Sequence, residues 1–348
     1  MKTWVKLLIA VNALLLLMAG GVLIYVRVMS QKYRPNAPIV WSSEGREYAQ
    51  VSCYFPSVLA FDINGVYTYR GQIQNALKTA SLVDKDSKVM QWTDCAYGER
   101  TSEIQSEDRS INEVVVTGTI GDFFVFHPLE LLSGVYYNDS DINLDCMVID
   151  DLTAWQLFGG MDVAGMSIKM GDKIYTISGV VASPDRGSDK LAYGDLPHVY
   201  VPYMSLPSTA SLTVYEMCIP EAVEGYAANL AKDNVQNAVL VDQTDRFDII
   251  KLIQGFKDLD DSVMIRTGFA YPWFENSLRA AELKGRVFAL PMAVLMVIPA
   301  ITLVYLMFVT AKLIARFVKY IRDRIEDRRQ IRLKKLYAKT HPQDTSAT

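Results

Sequence analysis

Few side chains in this chain are placed to do chemistry. Three histidines occur, His127, His198 and His341. His127 and Glu130 stand three residues apart in FHPLEL, a spacing that puts two metal ligands on one helix face, and Asp122 lies just upstream. The adjoining Pro128 favours a histidine packed in a turn over a ligand. The run Asp139-Ser140-Asp141-Ile142-Asn143, with Asp150 in twelfth place, imitates the start of a calcium loop. Its sixth position, which needs glycine, is Leu144, and its twelfth is Asp instead of a bidentate Glu, so an acidic surface turn fits better. No GxSxG nucleophile motif and no GxxxxGK[ST] phosphate loop is present. The pairs Asp150-Asp151 and Asp260-Asp261 suit helix starts and solvated turns. These residues point away from an enzyme and name no cofactor or metal.

The cysteines are Cys53, Cys95, Cys146 and Cys218, none in a CxxC arrangement. Four cysteines allow three pairings, and bridges persist outside the cytoplasm. The expected bridge is Cys53–Cys95, tying the first strand to the end of the next. Cys146 and Cys218 sit in apolar strands and read as buried thiols.

What must position these residues is a membrane frame. Residues 7–26 and 287–311 are apolar runs without Lys, Arg, Asp or Glu, each long enough to cross a bilayer as a helix. The first run passes Ala19-Gly20-Gly21 and continues, which reads as an uncleaved anchor. Lys2 and Lys6 precede it, and eleven basic residues against four acidic ones follow the second run. Lys and Arg beside spans stay cytoplasmic, so both termini are expected inside the plasma membrane and the central stretch outside. That stretch holds 35 of the 39 acidic residues, a charge that repels nucleic acid. The divisions expected are a cytoplasmic 1–6, a span 7–26, an extracytoplasmic domain 27–273, a stalk helix 274–286, a span 287–311 and a basic tail 312–348. Trp4, Tyr271 and Trp273 lie near the ends of the spans and fit interfacial anchors. In the tail, Arg316, Lys319, Arg328, Arg329, Lys334 and Lys335 suit anionic lipid or a cytoplasmic partner, and Phe317, Ile321, Ile325, Ile331 and Leu336 share a helix face. Pro291 and Pro299 kink the second span. Two spans cannot easily enclose a channel, so transport would need further permease subunits or self-association.

Between the spans the fold class reads as α+β. Alternation and β-branched content predict strands at 47–55, 88–92, 112–120, 145–150, 166–170, 174–181, 198–202, 212–219 and 239–241. Helices are expected at 68–81, 151–158, 245–256 and 274–286, with one opened by Pro220 and running to about 233. A helical turn is expected over 122–132 and a polar loop over 183–195.

The middle of the domain carries a family likeness. Its pieces are Gly118-Thr119-Ile120-Gly121-Asp122-Phe123-Phe124, Leu132-Ser133-Gly134, Met147-Val148-Ile149, Ala154-Trp155-Gln156-Leu157-Phe158-Gly159, Asp162-Val163-Ala164-Gly165, the run 168–181, and Val199-Tyr200-Val201-Pro202. In this order and spacing, residues 117–202 resemble the periplasmic core domain of MacB-type ABC transporter permeases. The resemblance implies a mixed extracytoplasmic domain between membrane helices, a separate cytoplasmic ABC ATPase as partner, and a non-catalytic permease role. Such permeases have three spans after the outer domain where one is seen here. The stalk residues Phe274, Leu278, Arg279, Glu282 and Arg286 are the expected couplers of domain motion to membrane motion. The alternative expectation is a membrane-anchored accessory or sensing protein that keeps the outer domain and does not transport.

Overall fold

The computed structural model describes residues 3–42, 46–84, 86–87, 90–138, 141, 144–255 and 269–340. The helix α1 (Thr3–Lys32) and the short α2 (Asn36–Trp41) lead into strand β1 (Glu47–Tyr54). The next helix, α3 (Ile63–Thr79), begins earlier than its apolar pattern suggests. Asp62 explains this: its Oδ1 accepts from the backbone N–H groups of Asn64 at 3.0 Å and Gly65 at 3.3 Å, satisfying the free donors of the first turn. There follow β2 (Thr93–Gln105), β3 (Ser110–Gly121), α4 (Phe123–Phe126), β4 (Leu131–Gly134), β5 (Cys146–Asp150) and α5 (Asp151–Phe158). Asp150 caps α5 and Gly159, at φ +75°, closes it. Then come β6 (Ser167–Met170), β7 (Lys173–Val181), α6 (Gly187–Tyr193), β8 (His198–Pro202), β9 (Val214–Glu221), α7 (Tyr226–Asn234), β10 (Val239–Asp242) and α8 (Ile249–Gln254). The last helices are α9 (Trp273–Leu295) and α10 (Val297–Thr340).

The strands form one sheet in the order β10-β1-β9-β2-β3-β8-β5-β7-β4, with β6 pairing β2 and β7. The ladders β3–β8 and β5–β7 are parallel and the rest antiparallel. Side chains alternate across the sheet, so each strand feeds two cores. One face buries Val66, Ile73 and Leu77 of α3 and Leu230 and Ala231 of α7 against Val51, Cys53, Tyr215 and Met217. Further along the same face, Ala154 and Leu157 of α5 cover Met147, Ile149 and Val199. The opposite face buries Ala37 of α2, Phe123 and Phe126 of α4 and Phe274 of α9 against Tyr54, Cys95, Tyr97 and Cys218. A mixed α+β domain is thus what the sequence leads one to expect.

Several local expectations are corrected. β2 occupies a stretch that the sequence leaves without a strand, while the strand expected at 88–92 lies partly outside the described residues and its remainder is not β. Pro220 does not open a helix. It lies in β9 opposite Tyr48 of β1, past the last residue paired with β2, so its missing N–H is not demanded on that side. The polar loop 183–195 contains α6, and the helical turn over 122–132 is only the four-residue α4. The calcium-like run 139–143 and Asp260-Asp261 lie largely or wholly outside the described residues.

The chain divides into two compact units, Ile24–Leu290 and the pair Met1–Leu23 with Pro291–Thr348. In the second unit the Thr302 hydroxyl lies 2.8 Å from Asn12 Oδ1 and from the Pro299 carbonyl, a polar contact between the apolar stretches of α1 and α10. A break at Met296 separates α9 from α10, and Pro299 falls in the first turn of α10, where its absent N–H costs little. Two helical stretches, Thr3–Lys32 and Trp273–Tyr337, each contain a segment long and apolar enough to cross a membrane.

Candidate functional site

Among the described residues no constellation of an enzyme stands out; a dense set of buried polar contacts gathers at the root of α9. Glu275 and Glu282 lie on one side of that helix and both reach Arg246, which follows β10. Arg246 Nη1 donates to Glu275 Oε2 at 2.8 Å, Nη2 to Oε1 at 2.9 Å, and Nε to Glu282 Oε2 at 2.7 Å. Arg279 donates to Glu275 Oε1 at 2.6 Å and Arg286 to Glu282 Oε1 at 2.5 Å, each one turn along the helix. Tyr54 of β1 adds its hydroxyl to Glu275 at 3.0 Å, and Gln243 adds its amide at 3.3 Å. The Arg279 guanidinium also lies over the Tyr271 ring, 3.9 Å from its centre. Burial pushes Glu275 up, but the Arg246 and Arg279 cations outweigh it and hold its carboxyl below the ordinary value. Burial likewise works against the Arg246 charge, and the two glutamates more than restore it.

A second anchor binds the same helix to α1 and α6. Asp189 of α6 accepts from the Tyr33 hydroxyl at 2.8 Å and from Ser277 of α9, and pairs with Lys32 of α1 at 2.6 Å. Burial opposes the Asp189 charge, yet Lys32, Ser277 and Tyr33 hold its carboxyl below the ordinary value. Lys284 reaches Ser188 at 3.1 Å, and Tyr33 stacks on Phe247 with centroids 5.6 Å apart. Between the two anchors is a cavity of about 230 Å³, bordered by Lys32, Gln50, His127, Glu216, Gln243 and Glu275.

Glu216 of β9 is buried on the cavity wall. Its Oε1 accepts from Tyr97 at 3.1 Å and its Oε2 from Gln50 at 3.2 Å. His127 follows α4, which is turned off β3 by Gly121 at φ +76°, a position where a Cβ would stand 2.3 Å from the Asp94 carbonyl. The His127 ring stacks on Phe274, centroids 4.3 Å apart and planes within 18°. Glu130, the expected companion of His127, is exposed and takes no part.

The stalk residues named from the sequence therefore meet the domain. Phe274 packs on His127, Leu278 borders the cavity, and Arg279, Glu282 and Arg286 enter the ion-pair network. The tail residues Arg316, Lys319, Arg328, Arg329, Lys334 and Lys335 are all exposed on α10. Of the expected anchors, Tyr271 is buried in the domain core and Trp273 packs partly against it, while Trp4 is exposed on α1. The expected Cys53–Cys95 bridge is corrected outright. Strand β9 lies between β1 and β2, with Cys53 opposite Tyr215 and Cys95 opposite Glu216. The two thiols point to opposite faces, one into each core, and two strand spacings of roughly 4.8 Å exceed the reach of a disulfide. All four cysteines are free and buried. Arg246, Glu275 and Asp189 were not singled out from sequence. The Glu275–Arg279 spacing of four residues was the available signal for one of them.

Known proteins give the architecture a family. The model of the MacB-like periplasmic core domain matches residues 10–246, more than half of the chain. The periplasmic region of MacB from Actinobacillus actinomycetemcomitans is similar at 11% identity and a TM-score of 0.39, over 56% of this chain and 88% of that one. The extracellular domain of the noncanonic ABC-type transporter YknZ from Gram-positive bacteria is similar at 15% identity and a TM-score of 0.36, over 56% of this chain and 99% of that one. No curated protein matches the chain. The family model, matched across most of the domain that carries the root of α9, establishes that this chain belongs to the MacB-like periplasmic core domain family.

Proposed function

We propose that this chain is a non-catalytic membrane subunit of an ABC-type transporter, in which a separate cytoplasmic ATPase moves the apolar helices and α9 passes that motion to the extracytoplasmic domain. Family membership makes the chain a permease-like membrane protein. The observation that carries the finer reading is the double anchoring of α9. Glu275 and Glu282 are held by Arg246, while Ser277 is held by Asp189. A buried fork of two parallel hydrogen bonds tolerates little change of angle or length, so displacement of α9 is carried into β1, β10 and α6 instead of being absorbed by a loose joint. One helix, α9, carries both the anchored residues and the first apolar residues of the second span.

A membrane-anchored accessory or sensing protein is the second reading. It is favoured by the presence of two, not four, helices of spanning length among the described residues. Purification in mild detergent from native membranes, with mass spectrometry of what comes with the chain, separates the two. Stoichiometric recovery of an ATP-binding-cassette ATPase, lost on deletion of residues 312–348, supports the transporter subunit. Recovery of the chain alone, or with other partners, moves the assignment to the accessory role.

A further inference from the structure

Three side chains converge, two of them (His127 and Glu216) on the cavity wall and the third (Cys95) buried beside them, although no ion pair described at the α9 root uses them. Cys95 of β2 and Glu216 of β9 are directly opposed in the antiparallel ladder, and His127 is the C-cap of α4. One ligand atom from each, a thiol sulfur, a carboxylate oxygen and an imidazole nitrogen, lies within 4.8 Å of the other two. His127 Nε2 is 3.3 Å from Glu216 Oε2. The alignment is not that of a hydrogen bond, and Nε2 is buried without a hydrogen-bond partner. Such an atom needs an explanation.

We propose that Cys95, His127 and Glu216 form a binding site for a divalent cation of zinc-like character, with the fourth coordination position open to the cavity. The donor set of thiolate, imidazole and carboxylate suits zinc and is wrong for calcium or magnesium. Zinc bonds of about 2.0–2.1 Å to N and O at a tetrahedral angle place those atoms roughly 3.3 Å apart, the separation His127 and Glu216 already have. The sulfur belongs about 3.5 Å from each of them, so from a spread of at most 4.8 Å it has little more than 1 Å to move. Thiolate and carboxylate together cancel the charge of the ion, leaving no net charge in the buried site. The ligands are also braced from behind: Tyr97 and Gln50 hydrogen-bond Glu216, and Phe274 fixes the His127 ring. The cavity, which His127 and Glu216 border, supplies the way in. Bound zinc ties the end of α4 to two central strands and stiffens the His127–Phe274 stack at the root of α9. The site stands whether or not an ATPase drives the chain.

The test uses the full chain in mild detergent with reductant, stripped by a chelator and then given zinc alone or cobalt(II) alone. Expected is one equivalent of zinc retained through desalting, and a cobalt form with a thiolate-to-metal charge-transfer band and intense tetrahedral visible bands. Cys95→Ser abolishes the charge-transfer band. Cys95→Ser and His127→Gln each weaken zinc binding by more than about 100-fold, beyond the cost of losing a supporting residue. Cys218→Ser, which alters another thiol of the same core, leaves both readouts unchanged. A folded wild type that retains no zinc and shows no charge-transfer band overturns the proposal, as does retention that Cys95→Ser does not alter. The cobalt spectrum needs no variant, so a substitution that prevents folding does not rescue the proposal.

Discussion

Arg246 and Glu275, 29 positions apart in the chain, meet as a buried two-pronged ion pair at 2.8 and 2.9 Å. The pair fastens the helix that becomes the second apolar segment to the strand end at the edge of the sheet. Buried ion pairs add little stability over apolar packing of the same shape, but removing one member is costly because the other keeps its charge without water. What the pair contributes is a defined geometry at the joint, which is the property a force-bearing connection needs.

Arg246→Ala is expected to destabilise the domain by about 3 kcal/mol, since Glu275 and Glu282 each lose a buried partner and keep only Arg279 and Arg286. Arg246→Lys keeps the charge but not the fork, and falls between the wild type and the alanine variant. Chemical denaturation followed by the fluorescence of the buried Trp92 measures both. A loss within the ±0.5 kcal/mol of an ordinary surface change contradicts the burial of the pair.

His198 gives a separate signature in pH. Burial pushes its imidazole down to about 4, while the unfolded chain keeps the ordinary value near 6.5. Between these values the unfolded state binds the proton and the folded state does not. The stability is therefore fully present above about pH 6.5 and falls by roughly 3 kcal/mol as pH drops through the folded value. Asp150 acts with the opposite sign, because burial raises its carboxyl. His198→Phe keeps the stack on Tyr193, 4.0 Å between centroids in the native ring pair, and removes the titration. In the variant, denaturation midpoints compared across this range must lose the rise with pH that His198 supplies, leaving the opposite trend of Asp150. An unchanged slope places the titrating group elsewhere.

Glu275 and Asp189 act lower. Their folded values are depressed, so the stability they contribute is present above the unfolded carboxylate values of about 4 and is lost as pH falls further. Hydrogen exchange of the 273–286 backbone is expected to rise in that acid range before the α3 core opens.

Thiol titration checks the cysteine correction. With chelator and without reductant, the native chain is expected to leave its four thiols unlabelled, because all are buried and burial raises each of them toward the protonated form. After denaturation all four label. Two labels after denaturation would show a bridge.

How much of this was legible follows the chemistry of each segment. β3, β5, β7 and β8 declare themselves through runs of Val and Ile, because a buried strand rewards branched side chains. β2 does not: its sequence TDCAYGERTSEIQ is polar, and its buried Asp94 is tolerated only because Arg70 donates to it from α3 and Tyr215 from β9. Those partners are distant in sequence, so no window along the chain contains them. The α9 root divides in the same way. Arg279, Glu282 and Arg286 stand out as charges on a helix entering a membrane, whereas Arg246 is one arginine in a short acidic loop whose partners lie 29 and 36 positions on. The Cys53–Cys95 expectation failed because the sequence does not reveal that β9 inserts between β1 and β2.

The tail has its own test. Arg328, Arg329, Lys334 and Lys335 are exposed on α10, and basic residues near an anionic surface contribute about 1 kcal/mol each. In vesicles of neutral lipid the tail of the reconstituted chain is expected to be cut readily by trypsin. Adding phosphatidylserine protects it, and raising salt removes the protection. Equal cleavage in both lipids means that the positive charge serves topology or a protein partner.

Hydrogen exchange on the chain purified with its partners, with and without ATP, examines coupling through α9 most directly. If α9 transmits the motion, ATP changes exchange in residues 273–286 and in the segments that hold them, around Asp189 and Arg246, while the α3 core stays unchanged. Identical exchange at these segments in both states, from a preparation that hydrolyses ATP, contradicts transmission through the anchored helix.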